Sequence, residues 1–350
     1  MTIAIGILFI FILGLLVFVH ELGHFLVARA AKIKVQEFAF GFPPRLFSKL
    51  SGGTNYSLNL LPLGGYVKLL GEDERSRDKG SYSSKPPATR LTVVLAGVVM
   101  NLFLAWLLLT IWFAITIIRP PTSAVVIGQV IPGSPAAAAG LIAGDLLIKT
   151  DGELVATAQD LARFTREHQA QAVTFTVRRF GNTVTKQITL TNLPAPLGVA
   201  PVDLGALPEG LNVYLAPVYA LSEIWGTIVA NTRFIYQAVF SIAGGPKVEG
   251  ELAGPIGIFG ILSQMVSLGP LYLLRFIANL SLLVGFFNIL PIPALDGGKA
   301  AFIAVELVSR RKLIREQVEQ AIHFAGFVLL IGVLVLVTYQ DIVRLVTRKL

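Results

Sequence analysis

The chain has 350 residues, 54% of them hydrophobic and 14% charged, with a net charge of +8. Soluble globular chains carry about 25% charged residues, so so much apolar surface argues against a water-soluble fold and for membrane residence. The basic residues flank apolar runs and form no aromatic-interleaved patch, which argues against nucleic acid as a partner. The absence of cysteine removes disulfides and thiolate metal ligands.

Four apolar runs reach the roughly 20 helical residues that cross a bilayer. They are about Ile3–Ala28, Leu91–Ile118, Leu271–Leu290 and Ala321–Tyr339. Met1 to Val19 carries no charge and ends in no small-residue cleavage site, so the first run is expected to remain as a span. Eleven Lys and Arg lie between residues 29 and 90 and five between 299 and 315, against nine between 119 and 247. The positive-inside rule then places the first two segments in the cytoplasm and the long middle segment outside. Arg344, Arg348 and Lys349 run against this count, because they would lie on the outer side.

Within the first cytoplasmic segment, "TNYSLNLLPLGGYVKLLGEDE" alternates apolar and polar residues and turns at Pro62, Gly64 and Gly65. It predicts a hairpin or small sheet, either at the membrane surface or in the cytoplasm. From 122 to 194, four Val/Ile/Thr-rich strands and the helical "AQDLARFTREHQ" predict a small α+β domain. Its "SPAAAAGLIAGDLLIKTDG" resembles the PDZ family, whose members bind extended peptide ends at a sheet edge; the alternative is a spacer domain. Residues 211–242 read as an interfacial amphipathic helix interrupted by Glu223, Asn231 and Arg233. The Gly- and Pro-rich 244–260 reads as a loop. The expected divisions are 1–121, 122–194, 195–269 and 270–350. The fold class is a polytopic α-helical membrane protein with four spans, a membrane-associated β element and an inserted extracytoplasmic domain.

The chemistry starts at "HELGH". At 3.6 residues per turn, His20 and His24 share one helix face and can reach one ion, while Glu21 can take a proton from a water on it. A satisfied pair of buried histidines is the bland alternative, but ionisable groups inside a span are functional by default. A hydrolytic zinc usually has three protein ligands. His168 and His323 are weaker candidates than Asp296 in "NILPIPALDGGKA", where prolines and glycines break the helix. An N-cap for the following helix is an equal reading of Asp296. Asn101, alone in an apolar run, either hydrogen-bonds substrate or glues two helices.

In order, "HELGH", "PLGGYVK", the PDZ-like insert, "GPIGI" and "NILPIPALDGG" resemble the site-2 protease family of intramembrane zinc metalloproteases, in its RseP-like bacterial branch. The resemblance implies one zinc held by His20, His24 and Asp296, with Glu21 as the acid/base. It also implies substrate handling by Asn288 and by the β element around Gly64, Gly65, Tyr66 and Val67. Implied substrates are single-span membrane proteins such as anti-sigma factors or remnant signal peptides, cleaved in the bacterial cytoplasmic membrane near its cytoplasmic side. The PDZ-like domain would take peptide ends or exclude bulky substrates. Two departures stand out: one PDZ-like module where better-known members have two, and Lys299 where many members have histidine. A non-catalytic PDZ scaffold and a metal transporter are the alternatives, the latter without the internal repeat many transporters show.

Overall fold

The computed structural model describes residues 2–72, 76, 78–119, 125–142, 144–179, 182–203, 207, 210–242, 254–312 and 314–347. Its contacts separate two compact units, one of Met1–Leu108, Leu221–Gly260 and Ile277–Leu350, the other of Leu109–Ala220 and Ile261–Phe276.

The first unit opens with α1 (Thr2–Ala30), a helix apolar along almost its whole length until Arg29. Two long strands follow, β1 (Val35–Ser51) and β2 (Thr54–Leu69), joined at Gly52-Gly53, both with positive φ. Glycine takes that backbone conformation without a Cβ penalty. Both strands fold back on themselves. Phe47–Ser51 pairs with Thr54–Leu58, while Glu37–Phe40 is flanked on both sides, by Asn55–Leu58 and by Gly65–Lys68. Pro62 to Gly65 is therefore where β2 doubles back, as its sequence predicts. The two arms it joins lie on either side of β1 and do not pair with each other. Phe18 and Phe25 of α1 pack on Phe38, and a cluster of Phe25, Ala28, Val35, Phe38, Leu69, Val93 and Ile303 ties helices and sheet together.

α2 (Pro87–Ile118) packs on α1 where side chains vanish. A Cβ on Gly23 would lie 2.4 Å from the Ala96 carbonyl oxygen, so only glycine permits this approach.

The second unit carries the α+β domain: β3 (Val125–Val130), α3 (Pro135–Ala138), β4 (Leu146–Thr150), β5 (Glu153–Leu154), α4 (Ala158–Glu167), β6 (Ala172–Arg179), β7 (Asn182–Thr189) and β8 (Val199–Asp203). The strand order is β7-β6-β4-β3-β8 with β5 beside β4, all antiparallel. Every expected strand and the helix form, α4 through a capping box between Thr157 and Asp160. The turn at Gly144-Asp145 is locked from within: Asp145, fully buried, takes two 2.7 Å hydrogen bonds from Arg179. The sheet runs past residue 194, because β8 pairs with β3. "VAPVD" is too short and proline-broken to show alternation in sequence.

α5 (Ala216–Ile242) leads on to α6 (Pro255–Leu268), α7 (Pro270–Ile289), α8 (Asp296–Ser309) and α9 (Glu316–Thr347). α6 corrects the expectation of a loop through 260. Its proline stands at the first helical position, where a missing N–H costs nothing, and Asp341 of α9 accepts the Gly257 N–H at 2.8 Å. The glycine-rich 243–253, and Arg348 and Lys349 with the C-terminal residue, lie outside the described residues. Among the described residues five helices are long and apolar enough to cross a membrane: the four expected runs and α5. Glu223, Asn231 and Arg233 are too sparse along 27 residues to take α5 out of that class. The chain is a multi-pass membrane protein.

Candidate metal centre

α1 delivers His20 and His24 side by side, and the start of α8 brings Asp296 to meet them across 276 positions of sequence. His20 Nε2 lies 2.8 Å from Asp296 Oδ2, His24 Nε2 lies 3.2 Å from the same oxygen, and the two Nε2 atoms are 3.2 Å apart. His20 is buried and the other two are nearly so. Donors at 2.0–2.1 Å from a tetrahedral zinc are about 3.3 Å from one another, so the triangle has the right size.

The protonation pattern agrees. His24 Nδ1 lies 2.8 Å from the Val93 carbonyl oxygen, which only accepts, so Nδ1 carries a proton and Nε2 is the nitrogen turned to the carboxylate. Deprotonated at Nε2, His24 would present a lone pair beside the Asp296 oxygen, a donor pair that one shared metal ion could bridge. The three residues fit zinc.

A third helix, α2, keeps the rings in place. A Cβ on Gly97 of α2 would fall 2.5 Å from His24 Nε2 and 2.6 Å from His20 Nε2. Asn101, one turn further along α2, is wholly buried with its amide 3.2 Å from His20 Nδ1.

Asp296 gets its position from broken backbone. After α7 the chain passes Pro291 and Pro293 and enters a left-handed conformation at Ala294 (φ 76°), uncommon for any residue but glycine. The Ala294 N–H donates to His323 Nδ1 of α9 at 2.9 Å. One turn on, a Cβ at Gly326 would meet Pro293 at 2.4 Å. α9 is thus a mount for this loop. The N-cap of α8 is Leu295, with no side-chain hydrogen bond, and Asp296 is the first residue inside the helix. The carboxylate is turned to the histidines and is not spent on capping. Gly297 is equally constrained, since a Cβ there would be 2.1 Å from the Leu290 oxygen.

Glu21 lines a cavity of about 200 Å³ together with His24, Tyr66, Val67 and Asp296. Gly65 passes close enough that a Cβ there would be 3.4 Å from Glu21 Cγ, and Gly64 lies against the Phe42 ring. The strand arm from Gly65 to Leu69 pairs with β1 on one edge; no other described strand takes its second edge. Lys299 and Glu72, joined at 2.8 Å, line this cavity and also a neighbouring polar one of about 790 Å³. Tyr82 lines both, and burial pushes its hydroxyl above the usual range, so it stays protonated.

Asn288 is not brought to the triad by any described contact: its Nδ2 donates to the Val284 oxygen of its own helix. The sequence presents His323 only as a weaker ligand candidate and gives no sign of the roles of Gly97 and Glu72. The role of His323 is hidden because its partner is a backbone amide, that of Ala294, 29 residues away. Gly97 carries no chemistry of its own, and Glu72 stands in a charged run that reads as solvated surface.

Comparison with known proteins agrees with this geometry. Residues 8–333 match the profile of peptidase family M50. A Clostridium acetobutylicum protein with a provisional zinc metalloprotease name is 31% identical over 336 residues, covering 94% of this chain and 95% of that one. A similarly named Clostridium perfringens protein is 33% identical over 329 residues, with coverage of 94% and 95%. The zinc metalloprotease RasP of Geobacillus kaustophilus is 29% identical over 423 residues, with coverage of 95% and 96%. The chain belongs to peptidase family M50, the site-2 proteases, and is a zinc-dependent metalloprotease of the membrane.

Proposed function

We propose that the protein cleaves peptide bonds within transmembrane segments of single-span proteins, with His20, His24 and Asp296 holding zinc and Glu21 moving the proton. The observation that carries this reading is the meeting of two imidazole nitrogens and a carboxylate oxygen beside Glu21, on a cavity lined by a strand arm whose second edge no other described strand takes. Zinc held by these atoms would supply Lewis acidity for a substrate carbonyl and for a water near neutral pH. Glu21, on the cavity wall, takes the water's proton and passes it to the leaving amine. The arm Gly65–Leu69, whose second edge no other described strand takes, would hold an unwound substrate strand by β-augmentation. Gly64 and Gly65 keep that arm close to Glu21, and Tyr66 and Val67 supply its walls. Asn288 would reach substrate only by leaving Val284.

Chain direction supports four spans. α1 and α2 run oppositely, since His24 lies by Val93 near the start of α2. Asp296, just after α7, meets His20, so α7 ends at the depth where α1 carries its motif. An even number of crossings must precede α7. A full crossing by α5 would require a return before α7, and a surface position for α5 avoids it. With the Lys and Arg counts, the active site then faces the cytoplasmic half of the bacterial cytoplasmic membrane. The α+β domain is outside, where a PDZ-like edge would take peptide ends or hold back bulky ectodomains.

In reconstituted full-length protein, Glu21→Gln is expected to reduce cleavage of a single-span substrate by about 10²–10⁴-fold while zinc content stays at one per chain. Full cleavage by that variant would remove Glu21 from the mechanism.

A further inference from the structure

The two histidines are held from behind by different kinds of partner. His24 Nδ1 faces a backbone carbonyl, which accepts only and so fixes the proton on that nitrogen. His20 Nδ1 faces the side-chain amide of Asn101, which can present either end. If the NH2 end donates, Nδ1 must accept, and the His20 proton moves to Nε2, where it points at Asp296. That tautomer makes a good 2.8 Å hydrogen bond to the carboxylate but has no lone pair for a metal. If the oxygen end faces the ring, Nδ1–H donates to it and Nε2 is free to ligate. The amide therefore selects between a proton-holding and a metal-holding His20.

We propose that Asn101 is a positioning residue of the zinc site, fixing the metal-binding tautomer and ring orientation of His20 through its side-chain oxygen, and that it has no contact with substrate. This rests on the reading that His20, His24 and Asp296 hold zinc.

The surroundings of Asn101 suit that task. Its exposure is 0%, and it is absent from the wall of the cavity that Glu21 and Tyr66 line, so a substrate strand there does not reach it. Its backbone oxygen takes the Ser281 hydroxyl at 2.9 Å, and a Cβ on Gly285 would come within 3.4 Å of Asn101 Cβ. α7 thus clamps the residue at its main chain. The link between α2 and α7 uses that main chain and survives changes to the side chain. With its NH2 end towards His20, the Asn101 oxygen has no partner among the described residues. Turned by 180°, which leaves the amide's shape unchanged, it receives the His20 Nδ1–H and leaves the NH2 over. Partners of this kind typically govern metal affinity by 10–100-fold.

The test uses full-length protein in detergent, with zinc affinity measured by chelator competition, the absorption spectrum of the Co2+-substituted protein, and KM for a single-span substrate. Asn101→Leu, similar in volume but without an acceptor, is expected to lose roughly 10–100-fold in zinc affinity and to shift the cobalt bands. Asn101→Asp, which only accepts, is expected to restore affinity to within a few-fold of wild type and to return the bands. A helix-packing role would leave the cobalt bands of a folded Asn101→Leu unmoved, and the aspartate variant remains readable if the leucine variant does not fold. Wild-type zinc affinity and cobalt spectrum in Asn101→Leu, or failure of a folded Asn101→Asp to bind zinc, would overturn the proposal. A raised KM alone would return Asn101 to substrate contact. His20→Ala and Asp296→Ala serve as controls: if both bind zinc like wild type, the ligand set itself is wrong, whereas their loss of zinc with none in Asn101→Leu sinks only the role of Asn101.

Discussion

The two halves of the candidate metal centre are built by opposite means. His20, Glu21 and His24 sit on an unbroken helix, so their mutual geometry follows from helical pitch alone. Asp296 sits where helical order fails, after two prolines, a left-handed Ala294 and before two glycines that admit the chain at contact distance. The first half needs only to be packed. The second must be held, and α9 holds it through His323 and Gly326. A helix supplies precision locally, whereas a broken segment borrows it from its neighbours.

The sharpest way to strain this contrast is to add one methyl group to each half. Gly297→Ala places a Cβ 2.1 Å from the Leu290 oxygen, a backbone atom with nowhere to go. The loop must shift and take Asp296 with it, so near-complete loss of zinc and activity is expected, measured as metal content after gel filtration. Gly97→Ala crowds the His24 and His20 rings at 2.5 and 2.6 Å, but rings and helices can yield by a few tenths of an ångström. A cost of about 1–3 kcal/mol and partial zinc loss is expected. If Gly97→Ala proves the more damaging, the helical half is not the self-sufficient one.

A smaller effect should follow from the mount. His323→Leu removes the acceptor of the Ala294 N–H and leaves that amide unpaired, worth about 1–3 kcal/mol. Zinc affinity should fall by several-fold, with the equivalent change at His168, whose ring stacks on Phe164 in the other unit, leaving it unchanged. His323→Asn, whose Oδ1 can stand in for Nδ1, should recover part of the loss. Unaltered zinc binding in His323→Leu would mean that the loop holds itself.

The same contrast explains what was legible in the sequence. HELGH announces its geometry because i and i+4 share a helix face. The residues around Asp296 alone fit an N-cap equally well, since nothing local says which way a side chain turns after a broken helix. β8 and α6 were missed for a related reason: each depends on a distant partner, β3 for one and Asp341 for the other. The histidines' outer partners, Val93 and Asn101, lie 69 and 81 residues away and leave no periodic trace.

The central claim is that two motifs 276 residues apart share one zinc. X-ray absorption at the zinc edge, on wild-type protein and on Asp296→Ala, tests it directly. Wild type should show one zinc per chain with two imidazole nitrogens and a carboxylate oxygen at about 2.0–2.2 Å, and Asp296→Ala should lose the oxygen contribution and release its metal to a mild chelator. An unchanged spectrum and undiminished zinc content in Asp296→Ala would contradict the account.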